Sequence, residues 1–196
     1  MQELLQILLY FKKLLFNKNM NKKMSPNIEH INKRGVTGGV IDDLLRIINI
    51  SSRYIGIYAL PDLESLKFSK DKNEIILIVN IGSHWITIAV YKNFVLYLDS
   101  YGLPPRQTEM IKFLTRLLDQ CKGIKTHEIH YNIKQIQAIS SNYCGMYAAL
   151  WAKRLDNIMK NPEQKKFSMR FYSGQIENRL QKNDKLCIKY LKSISE

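Results

Sequence analysis

The sequence is short of cysteines, short of acidic residues, and without a long unbroken apolar run. Each shortage excludes a class of protein. Its three cysteines, Cys121, Cys144 and Cys187, are widely spaced and odd in number. They do not build a disulfide framework, and a reducing intracellular setting is expected. The most apolar stretch near the start, residues 4–16, is interrupted by Lys12 and Lys13. It falls short of the ~20 residues that a membrane-spanning helix needs. Gln2 and Glu3 precede it instead of basic residues, so a secretion signal is not expected. There is no internal repeat and no low-complexity tract. Cys121, His127 and His130 are metal-ligand types in one neighbourhood, but their spacing misses the paired patterns of zinc sites. No metal and no obligatory cofactor is expected.

The acidic shortage leaves 17 Asp and Glu against 30 Lys and Arg, a net charge of +13. That balance favours a polyanionic partner such as DNA. The chain is also rich in Lys, Asn and Ile, as products of AT-rich genomes are, and this accounts for the charge equally well. Much of it sits at the start, where Lys12, Lys13, Lys18, Lys22 and Lys23 face only Glu3. Leu4, Leu5, Leu8, Phe11 and Leu15 recur there at helical spacing, which predicts a basic amphipathic helix. We read residues 1–34 as an N-terminal extension and residues 35–196 as one domain. At 45% hydrophobic, the chain has enough apolar residues for one core.

Residues 35–40 (Gly-Val-Thr-Gly-Gly-Val) signal a loop, and residues 41–50 a short helix. Residues 54–61 alternate like an irregular strand, and residues 62–73 read as polar surface. Residues 74–80 form a nearly continuous apolar run, suited to a strand buried on both faces. Residues 85–91 and 94–98 predict a hairpin. An amphipathic helix follows over 106–120, then a strand over 127–133 and helical pieces over 167–179 and 185–193. This order predicts an α+β fold with a mostly antiparallel central sheet packed by helices.

Residues 137–145 (Gln-Ala-Ile-Ser-Ser-Asn-Tyr-Cys-Gly) carry the chemistry. Met146, Ala149, Leu150 and the residues that follow predict a helix with one apolar stripe, which puts Cys144 at or just before its first turn. Free N–H groups and the positive end of the helix dipole stabilise a thiolate there. Gly145 reads as room for a substrate backbone beside the sulfur. Gln137, seven residues earlier, offers an amide donor. A small buried cysteine is the plain alternative. His84 stands where a loop enters the first hairpin strand, and Asp99 where the second strand leaves. An antiparallel hairpin returns both to one end of the sheet. There an imidazole can take a thiol proton while a carboxylate fixes its tautomer.

The ordered set His84-Trp85, Asp99 before Ser100-Tyr101-Gly102, and Gln137 seven before Cys144-Gly145 resembles the adenovirus-type (adenain-like) cysteine proteases. The resemblance is strongest to those of large DNA viruses, virophages and Polinton-type transposons, and more distant to SUMO and ubiquitin-like-protein proteases. It covers residues 35–155. It implies a papain-like fold in permuted order, with Cys144 as nucleophile, His84 as base and then acid, and Asp99 as the orienting carboxylate. The Gln137 amide and the Cys144 N–H would form the oxyanion hole. Gln135 competes for that role at a poorer spacing, and Trp85 would shield the site. Asp99 stands where the adenovirus enzyme has Glu, and Tyr143 stands where SUMO proteases place Asp.

The function implied is a thiol protease that cleaves capsid or core precursors during virion maturation. DNA would be a stimulant, and the setting would be the virion and the host cytoplasm or nucleus. Two alternatives stand beside it: a protease of host SUMO or ubiquitin-like conjugates, and a basic DNA-binding packaging protein on a protease fold. Val36-Thr37-Gly38-Gly39 also resembles the family's cleavage pattern, which raises self-cleavage before Val40. An ordinary turn is the simpler reading.

Overall fold

The computed structural model describes residues 35–68, 74–91, 94–120, 129–161 and 177–195. They form helix α1 (Gly38–Ile47), strand β1 (Tyr54–Ala59), a 3-10 turn (Leu60–Glu64), β2 (Ile75–Asn80), β3 (Trp85–Tyr91) and β4 (Phe94–Leu98). Then come α2 (Thr108–Gln120), β5 (Ile129–Tyr131), α3 (Cys144–Lys160) and α4 (Glu177–Ser195). The fold is α+β. A five-stranded sheet runs β1-β2-β3-β4-β5. Its centre is antiparallel, with Asn80 opposite Trp85 and Thr87 opposite Leu98. The outer pairs β1–β2 and β4–β5 are parallel, a feature the hairpin signal does not carry.

The sheet is covered on both faces, which is why β2 reads as an unbroken apolar run. Ile76 and Ile78 on β2, with Ala89 on β3, pack against α1, α3 and Cys187 of α4. Ile75, Leu77 and Val79, with Ile86, Ile88 and Val90, pack against Met110, Phe113, Leu114 and Leu117 of α2. Each such Ile or Leu contributes about 1.5–3 kcal/mol when fully buried. The helix α3 is the spine of the first layer. All of its first six residues are buried, so its single apolar stripe, carried by Ala152, Leu155 and Met159, emerges only further along. Thr87 Oγ1 donates to the Ala148 carbonyl at 2.9 Å, which satisfies a buried hydroxyl and fixes α3 against β3.

Three expectations change. The loop signal over residues 35–40 holds only to Thr37, which caps α1 by accepting the Val40 N–H on its hydroxyl at 3.4 Å. Gly38 and Gly39 are therefore helical, and Val36 is buried. Self-cleavage before Val40 would require α1 to unwind, since a protease takes its substrate extended. The expected polar surface after residue 61 opens with the 3-10 turn, whose Leu63 is buried against the α2 layer. The expected helical piece over 185–193 is part of a longer helix from Glu177, because Leu180, Asn183, Asp184 and Cys187 make a continuous buried face. Residues 1–34, 121–128 and 162–176 lie outside the described residues. With them lie the basic amphipathic helix, Cys121, His127 and the start of the expected 167–179 helix.

Candidate active site

The hairpin β3–β4 delivers His84 and Asp99 to one end of the sheet, as its register requires. His84 Nε2 lies 2.8 Å from Asp99 Oδ1. Asp99 is 1% exposed and is held from three sides. Its Oδ1 also accepts the Tyr101 N–H at 2.7 Å. Its own N–H donates to Asn132 Oδ1 at 2.8 Å, and its carbonyl accepts from Asn132 Nδ2 at 2.6 Å. The turn closes with Gly102 N–H on the Asp99 carbonyl at 2.8 Å. Gly102 has φ +70, and a Cβ there would stand 2.8 Å from the Gln135 nitrogen, so only glycine fits.

On the other layer, Cys144 is the first residue of α3, with Tyr143 as its N-cap. Cys144 and Asp99 are the two groups that favour the charged form of His84. With Nε2 on the carboxylate, Nδ1 is the nitrogen left for the sulfur. Burial disfavours charge on His84, but the Asp99 carboxylate and the neighbouring Cys144 sulfur outweigh it and push its pKa up to about 9. The imidazole is thus held as an imidazolium between two acceptors. The N–H groups of Met146 and Tyr147 both point to the Tyr143 carbonyl, whereas those of Cys144 and Gly145 have no carbonyl partner among the described residues. Helix start, imidazolium and sulfur converge, which is the electrostatic requirement for a thiolate nucleophile.

Cys187, the other described free cysteine, has the opposite setting. It is 0% exposed, and burial pushes its thiol up to about 12. It is core.

Gln137 is fully buried beside this group, and its amide is occupied. Nε2 donates to the Ser141 carbonyl at 2.8 Å and to the Tyr101 hydroxyl at 3.2 Å, while Oε1 accepts from Ser100 Oγ at 2.5 Å. Both amide protons are spent, so Gln137 presents no free donor in this arrangement. An oxyanion would draw on it only after one of these bonds is released. Gln135 Nε2 donates to the Gln137 carbonyl at 2.8 Å and so braces the same segment.

Gly145 needs a different explanation from the one its sequence suggests. A Cβ there would overlap Val36 Cγ2 and stand 2.9 Å from Ile41 Cδ1 and 3.1 Å from Trp85 Cδ1. The space beside Gly145 is filled by the protein, and the glycine serves close packing of α3. Trp85 seals that contact, its indole N–H donating to the Val36 carbonyl at 3.0 Å. His130 lies exposed on β5, edge-on to Phe94 at 4.6 Å, and no cluster of three metal-ligating groups occurs among the described residues.

Sequence reasoning missed Asn132 and Ser141, and saw Tyr101 only as part of a motif. Nothing in the spacing marks Asn132, which acts across the parallel β4–β5 edge. A shallow groove of about 390 Å³ between α1 and β1 is lined by residues such as Gly38, Arg46 and Tyr58, and contains none of the four candidate residues.

No family model matches the chain, and no curated protein does. Among solved structures, the ASFV pS273R protease overlaps 62% of the chain at 19% identity and TM-score 0.45. The chain spans 57% of that protease's length. A de-sumoylating protease overlaps 82% of the chain and 81% of its own at 16% identity and TM-score 0.40. The central domain of the uncharacterized Lpg1148 protein from Legionella pneumophila overlaps 72% and 88% at 13% identity and TM-score 0.40. At these scores the overlap is partial, and the chemistry of the site stands on its own side chains.

Proposed function

We propose that this chain is a cysteine endopeptidase of permuted papain-like type, with Cys144, His84 and Asp99 as its triad. The observation that carries the reading is the single imidazole that bonds a buried carboxylate through Nε2 and whose charge is favoured by the cysteine that opens α3. The Cys144 sulfur attacks a peptide carbonyl carbon, and the carbonyl oxygen takes the charge. The Cys144 N–H, at the start of α3, stabilises it. Gln137 adds a second donor once its bond to the Tyr101 hydroxyl is exchanged for the oxyanion. One such donor contributes about 2.7–4 kcal/mol. The His84 imidazolium gives its proton to the departing amine as the C–N bond breaks, which leaves a thioester on Cys144. Neutral His84 then takes a proton from water, hydroxide displaces the sulfur, and the ion pair returns.

The resemblance to adenovirus-type proteases favours viral or transposon capsid and core precursors as substrates, some with Gly-Gly sites, and the charge of +13 favours DNA as an accessory. A peptide library drawn from such precursors, incubated with wild type and Cys144→Ala and read by mass spectrometry, tests the reading. Cleavage by the wild type alone supports it. Cleavage confined to SUMO precursors in a parallel arm moves the substrate to host conjugates. Equal cleavage by Cys144→Ala, or binding to DNA with no cleavage anywhere, rejects the peptidase.

A further inference from the structure

Tyr101 touches three of the four candidate residues, His84 and Gln137 through its side chain and Asp99 through its backbone N–H. Its ring stacks on the His84 imidazole, with centroids 4.8 Å apart and planes inclined by 21°. Its N–H holds Asp99 Oδ1 at 2.7 Å. Its hydroxyl accepts from Gln137 Nε2 at 3.2 Å and reaches the Ser141 carbonyl at 3.4 Å. The Asp99–Gly102 turn fixes its backbone, and the Ile136 and Gln137 N–H groups both bind the Ser100 carbonyl next to it, at 2.9 and 3.1 Å. The residue is half-buried in a turn.

We propose that Tyr101 is a positioning residue that couples the base to the oxyanion donor, holding the His84 ring in plane with its face and the Gln137 amide with its hydroxyl. This rests on the peptidase reading for its purpose, though not for its test. A ring stacked at this distance allows the imidazole two edges only, and those edges meet Asp99 and Cys144. A π-face also favours a cation lying against it. The hydroxyl makes the longer of the two Gln137 amide bonds, so it is the one exchanged when an oxyanion forms. Its lone pairs keep that amide oriented until then. Removing the hydroxyl leaves the ring and frees one proton of a buried amide, while removing the ring takes the stacking partner from the face of His84.

Two nuclear magnetic resonance readouts test this on resting protein, whether or not it cleaves peptides. One is the titration of the His84 imidazole, and the other is hydrogen exchange of the Gln137 side-chain amide. In Tyr101→Phe, His84 should titrate as in wild type, while one Gln137 amide proton exchanges at least about tenfold faster, as an unpaired amide proton does. In Tyr101→Leu, or Tyr101→Met should the first not fold, the His84 protonation constant should also drop about three- to fivefold. Unchanged Gln137 exchange in Tyr101→Phe overturns the hydroxyl's part, and unchanged His84 titration in the ring-less variant overturns the ring's part. Where peptide hydrolysis is measured, Tyr101→Phe should lose about tenfold in kcat with KM unchanged, as misorientation does. A wild type with no hydrolysis rejects the peptidase and leaves both spectroscopic results standing.

Discussion

At the scale of the residue, the candidate site is a proton held between two acceptors. His84 keeps its charge up to about pH 9 because Asp99 and Cys144 overcome the cost of burial. Peptidase activity should therefore persist to about that pH and fall above it, as the acid for the leaving amine is lost. The stability sign follows from the same shift. A raised imidazole pKa contributes stability that is fully present below 6.5 and is lost as pH rises through about 9. Asp99→Asn removes a charge and weakens the bond to Nε2, so its alkaline limb should move to lower pH with partial activity left. A pH–rate profile of both proteins checks this. Cys144→Ala should abolish turnover with the fold intact, and His84→Ala should lose nearly as much, since such residues act as a unit and are not additive. Parallel kcat measurements and thermal melts decide that.

Elements explain which parts of this were legible beforehand. The hairpin was readable because alternation and a two-residue gap leave little else for residues 85–98 to do. His84 and Asp99 followed from it. Cys144 at the start of α3 was readable from the apolar periodicity after it. The parallel outer strands were not, because parallel pairing is set by what the chain does between strands, not by any local pattern. Gly145 was legible as special and misread in purpose: the space it opens is taken by Val36 and Ile41 across more than a hundred residues of sequence. Gly145→Ala should therefore destabilise by about 1–3 kcal/mol through overpacking at the α1–α3 contact. Denaturant midpoints of the purified variant measure it, and an unchanged midpoint would mean that Val36 moves freely. The anchor at the far end of α3 is Asp156, buried and bonded to Ser51 and, at 2.9 Å, to Lys160. Burial alone would raise its carboxyl pKa, yet those partners hold it below the ordinary range.

Across the whole molecule, the charge of +13 is the property the site does not use. Binding of duplex DNA through this charge should be indifferent to sequence and should weaken steeply with added salt, as condensed counterions are released. Titration of duplex DNA at two salt concentrations, with peptidase activity followed in the same tubes, reads both affinity and stimulation. No binding at low salt would leave the basicity as a matter of composition. The lysines of residues 1–34 lie outside the described residues, so the full chain is the material for that experiment.

The central claim is that Cys144 carries the acyl group. Acid-quenching the wild type within the first turnovers of a cleaved peptide, then measuring intact and fragment masses, tests it most directly. The account predicts a thioester of the N-terminal half of the peptide on Cys144, absent from Cys144→Ala. Peptide cleavage at full rate with no acyl group on Cys144, or with one on Cys187, would contradict it.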